Sequence, residues 1–149
     1  MTDIDIEFEH LMLEIHARRW SMVERFLFSY FCFRQGFLSK AGKPDWQTAR
    51  DQSPQSVTLR SLKLAELEPV VPHQAIIGEL KRYERDGELT RQTVQRILDS
   101  LLHYVVISKT EQRVLKLAGL ADAMPPEWYQ SGAKEPYARF KKLGIQFNL

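Results

Sequence analysis

Between residues 11 and 38 the chain reads LMLEIHARRWSMVERFLFSYFCFRQGFL, and Trp20, Phe26, Phe28, Tyr30, Phe31, Phe33 and Phe37 all fall inside it. So dense a run of rings must be enclosed by something, and no other stretch narrows the possible folds as much. At a period of 3.6 the apolar positions run Met12, Ile15, Val23, Phe26 or Leu27, Tyr30, Phe33 and Phe37, with Arg19 interrupting the series. This spacing predicts one long helix, ended by Gly36 in the left-handed conformation with Phe37 folding back on the last turn. A strand over FLFSYFCF is the competing reading, because aromatics suit strands. No turn residue separates that run from the helical pattern before it, which favours the helix.

Around residues 26–33 the helix is apolar nearly all round, so partners must cover most of its sides. A membrane span needs about 20 mostly apolar residues, whereas Arg25 and Arg34 bracket an uncharged run of only eight. The stretch is therefore read as core. Its surplus of rings, with Phe26, Tyr30, Phe33 and Phe37 as the contact residues, points to a homodimer or a protein partner.

The 149 residues suit one domain, with hydrophobic content of 44% and charged content of 27%. No repeat or low-complexity tract divides the chain. Cys32 is the one cysteine and sits in the most apolar stretch, so it reads as a small buried hydrophobe in a reducing, cytoplasmic setting. The opening MTDIDIEFEH lacks the order of a secretory signal. A net charge of +2 is too small to imply nucleic acid by itself. Its distribution is graded, from Asp3, Asp5, Glu7 and Glu9 at the front to Lys134, Arg139, Lys141 and Lys142 in the tail.

Thr2 or Asp3 is expected to cap a helix start, with acids favourably placed in the first turn. Residues 39–57 read as a long loop with one helical turn near 45–51, pinned to the core by Trp46. Residues 58–68 match both periods in part and are read as a helix stopped by Pro69 and Pro72. A helix over 73–86 ends at Gly87. From Thr90 a further helix carries Val94, Ile97, Leu98, Leu101 and Leu102 in one stripe and extends through YVVI to a boundary at Ser108. There S-K-T-E has the spacing of a capping box, and the next helix should turn Val114, Leu115 and Leu117 inward as far as Gly119. The alternative pairs YVVIS with RVLKL as the wing of a winged helix. Trp128 and Tyr129 read as anchors, and 135–144 as a short last helix followed by a docked tail. The fold class is all-α, mainly helical, organised as a helical segment over 1–38, a loop over 39–57 and a helical remainder over 58–149.

Motifs for catalysis or metal fail on inspection. ERDGELT resembles a calcium loop only until its register is counted, which places Arg82 first and Thr93 twelfth where acids are required. His10, His16, His73 and His103 have no ligand spacing among themselves. No serine lies in a nucleophile elbow and Cys32 is too deeply set to be a reactive thiolate. The reading is thus a non-enzyme without cofactor or metal.

The polar front of the 90–103 helix is the main functional signal. Thr90, Arg91, Gln92, Thr93, Gln95 and Arg96 are residue types that contact phosphates and base edges, gathered where recognition helices touch double-stranded DNA. With the preceding helix they outline a helix-turn-helix over 75–103, although the small buried position of its first helix falls on Glu84. The expected function is a small DNA-binding or regulatory accessory protein. The alternative is an interaction or adaptor protein, or a dimerising structural one, without nucleic acid.

Overall fold

A computed structural model describes residues 1–149. Helix α1 (Asp3–His16) starts at Thr2, whose hydroxyl accepts from the Asp5 N–H while the Asp5 carboxylate accepts from the Thr2 N–H. The long helix expected over 11–38 is in fact broken. Arg18 takes a left-handed backbone conformation with φ of 56°, and α2 (Trp20–Gln35) folds back against α1. No glycine or proline signals this turn; the one trace of it is the missing apolar beat at Arg19. A left-handed non-glycine residue costs about 1–2 kcal/mol, which the fully buried Leu11, Ile15, Val23 and Leu27 outweigh many times over. Gly36 ends α2 as expected, with φ of 75° and the Phe37 N–H donating to the Cys32 carbonyl.

This hairpin and its neighbours bury Tyr30 and Phe31 and leave Trp20, Phe26, Phe28, Phe33 and Phe37 half-buried. Phe8 lies 6.0 Å from Tyr30 and His10 lies 5.8 Å from Phe26, centroid to centroid. On the other side Tyr104 packs on Phe31 at 4.6 Å and edge-on to Phe28 at 5.4 Å.

Helix α3 (Trp46–Gln52) occupies the predicted turn, but Trp46 is not the expected anchor: it is 48% exposed and stacks on Arg50. The helix expected over 58–68 is also corrected. A single 3-10 turn at Leu62–Leu64 leads into strand β1 (Ala65–Pro69), which pairs antiparallel with β2 (Tyr104–Ser108). The stripe helix α5 (Arg91–Leu101) accordingly stops before YVVIS, whose β-branched residues lie fully buried in the sheet. YVVIS thus forms a strand, but with 65–69; RVLKL belongs to helix α6 (Lys109–Leu117). The capping box at Ser108 and Glu111 begins that helix as expected. Only Leu115 of its apolar residues points inward; Val114 and Leu117 are exposed, because the sheet covers one narrow face of the helix.

Beside β2 run two further extended segments. Val106 donates to the Pro54 carbonyl and accepts from the Ser56 N–H, while Ser56 bridges Phe147. The lateral order is therefore 146–148, 54–57, β2, β1. Helix α4 (His73–Arg85) and α5, joined through Gly87 at φ of 71°, close the other side of the core. Trp128 anchors the segment after α6, buried and donating its indole N–H to the Glu135 carbonyl.

The short helix α7 (Ala138–Lys142) carries Arg139, which is fully buried. Its guanidinium donates to the carbonyls of Pro69, Val70 and Leu120 and to the Glu68 carboxylate at 2.8 Å. Replacing Arg139 with Leu would strand Glu68 and these carbonyls, so a loss of about 3–5 kcal/mol is expected in urea unfolding. Arg139→Lys, which keeps the charge with fewer donors, should fall between that variant and the parent.

Candidate binding groove

The residues singled out on α5 are placed on one exposed front, but most are engaged within the chain. Thr90 and Thr93 cap the helix against one another. Arg91 pairs with Glu9 of α1 and lies over the Phe8 ring. The Gln95 amide donates to the Tyr30 hydroxyl at 2.8 Å and to Asp99 at 3.0 Å. Gln92 and Arg96 alone are exposed with no side-chain partner. Glu84, the charged residue at a position a helix-turn-helix keeps small, reaches Arg18 in the α1–α2 turn at 3.2 Å. Of the four ring residues expected to contact a partner, Tyr30 is buried and Phe26, Phe33 and Phe37 are half-buried.

A larger concavity, of about 740 Å³, lies elsewhere. One wall is α6, whose Lys109, Arg113 and Lys116 recur at helical spacing on one face. Facing them are Glu24 from α2, Glu66 from β1 and Asp122 from the segment after α6, with His73 at the head of α4 and Glu68 deeper in. Lys109, Arg113, Lys116, Glu66 and Asp122 enter none of the chain's ion pairs. Charges of both signs thus line one open concavity without pairing. Glu111 fixes the basic wall, since its carboxylate also accepts from the Ser56 hydroxyl at 2.7 Å and the Thr58 hydroxyl at 3.1 Å.

His73 links the groove to the core. Its Nε2 meets the Tyr104 hydroxyl at 2.5 Å, and its Nδ1 stands 3.9 Å from the Glu24 carboxylate. Burial holds the imidazole below its ordinary range, against the pull of Glu24. Burial likewise pushes the Tyr104 hydroxyl up, and the Cys32 thiol up to about 11. At Glu68 burial raises the carboxyl and Arg139 opposes it.

Sequence reasoning missed this groove. Lys109, Arg113 and Lys116 recur at helical spacing, but in sequence the same pattern marks any solvated helix flank. Glu24, Glu66, His73 and Asp122 carry no motif, since only the fold brings them together. No helix is long and apolar enough to cross a membrane. Comparison with family models, curated proteins and solved structures gives no match to this chain.

Because burial lowers the His73 imidazole in the folded state, the unfolded chain, with its ordinary value of about 6.5, takes up a proton more readily as pH falls, and acid favours unfolding. That contribution is complete above 6.5 and lost as pH falls towards the depressed folded value. His103, also lowered by burial, acts in the same direction. Thermal melts from about pH 7 to about pH 5 should therefore show a smaller loss of stability for His73→Gln than for the parent chain.

Proposed function

We propose that this chain is a protein-interaction module, and that the groove between α6 and the β1–α4 side receives a charged segment of a partner protein. One observation carries the reading: Lys109, Arg113 and Lys116, and with them Glu66 and Asp122, line the same concavity and enter no ion pair. Charges left unpaired within a chain are available to complement a ligand, and such complementarity sets association rate and partner choice. A segment bearing both signs fits better than a polyanion, because Glu24, Glu66 and Asp122 would repel phosphates lying along Lys109, Arg113 and Lys116.

Duplex DNA against the first turns of α5 is the second reading, and it rests on Gln92 and Arg96 being free. Arg91 is occupied by Glu9, and Asp5 and Asp99 border the same face, which weighs against it.

Both readings are open to direct measurement. Co-purification from the native host with Arg113→Glu/Lys116→Glu should reduce recovery of the specific partner about tenfold or more, corresponding to ~1.4 kcal/mol or above. Gln92→Ala/Arg96→Ala should leave it unchanged; equal recovery with the groove variant rejects the groove. For DNA, the parent chain should retard a duplex in low salt, less so as salt rises, and the Gln92/Arg96 variant should weaken that. Absence of any shift at low salt rejects the second reading.

A further inference from the structure

We infer that the ligand of the groove is an extended segment of a partner protein that adds to the free edge of β1 as a further strand, with both a carboxylate and a cationic group on its groove side. The inference rests on the groove reading and adds the occupant's conformation and chemistry.

The pairing register supplies the first argument. Leu67 stands opposite Val106, and both backbone groups of Val106 are taken by Pro54 and Ser56 on its far side. The ladder between β1 and β2 must then run through Glu66 with Ile107 and Glu68 with Val105, since bonded and non-bonded pairs alternate. The N–H and C=O of Leu67 consequently point away from β2, and no other backbone group in the chain bonds them. Pro69 has the same orientation, and its carbonyl is taken by Arg139. The edge is thus closed at one end and open at Leu67, beside a groove that Glu66 and Glu68 line.

Charge supplies the second argument. A second copy of the chain is a poor occupant, because antiparallel pairing about Leu67 would set Glu66 of each chain against Glu68 of the other. A foreign strand avoids this. Side chains two residues apart share its groove side, so a cation there can meet Glu66 while a carboxylate meets Arg113 or Lys109.

The test uses random linear peptides displayed on phage and selected on the full chain, followed by resynthesis of those that bind. Selected peptides should carry an acid and a base two residues apart and should slow hydrogen exchange at the Leu67 amide. Leu67→Pro removes an N–H that the β1–β2 ladder does not use, so it should weaken binding at least tenfold; N-methylation of the peptide gives the same comparison if that variant fails to fold. Peptides lost with Arg113→Glu but indifferent to N-methylation, with Leu67 exchange unaltered, overturn strand addition and leave the groove reading standing. If no peptide is selected, or if binding ignores both Arg113 and Leu67, both are overturned. Light scattering should find the chain monomeric; a dimer broken by Leu67→Pro would make the second copy the occupant and reject the foreign strand.

Discussion

Arg139 draws together three parts of the chain that are far apart in sequence. The end of β1, the segment after α6 and the last helix all converge on one guanidinium with no exposed surface. Its planar fork suits the task, since several donors can reach carbonyls in different directions while one meets a carboxylate. Burying such a charge is costly unless every donor is occupied and an opposite charge lies close. Here Glu68 provides the charge and the carbonyls of Pro69, Val70 and Leu120 take the other donors, so a satisfied polar cluster sits within the apolar packing of Val70, Leu120 and Phe140. The groove inherits its deep end from this cluster: Glu68 lies below the open surface because Arg139 holds it there.

Features fixed by local chemistry were legible in the sequence. The helix starts at Thr2, Thr90 and Ser108 follow from side chains that bond the first free N–H groups, and the stops at Gly36, Gly87 and Gly119 follow from backbone freedom at positive φ. Mainly helical architecture was readable for the same reason. What escaped was decided by long-range contacts. AELEP and YVVIS become strands because they pair with each other across a long separation in sequence, and nothing within 58–68 or 90–107 announces that partner. The α1–α2 turn is carried by an arginine, so no turn residue marks it. Arg139 sits in RFKK, which looks like a solvated basic tail until the fold surrounds it.

The two polar surfaces differ in a way that sequence composition conceals. The front of α5 is rich in Arg, Gln and Thr, yet capping, the Glu9 pair and the Tyr30 hydroxyl occupy most of those groups. The flank of α6 looked unremarkable, yet its cations remain uncommitted. Residue type therefore indicates what a surface is able to contact, while the intramolecular partners determine how much of that capacity is left for a ligand.

The four extended segments lie side by side in the order 146–148, 54–57, 104–108 and 65–69. None of these neighbours is a local hairpin, and each pairing encloses a loop of tens of residues or more. Long-range strand pairing on that scale is intrinsically slower than helix formation. The α1–α2 hairpin and the capped helices therefore have the means to form early, from contacts close in sequence. The edge at Leu67 exists only once β1 has met β2, since that pairing is what turns its N–H and C=O outward.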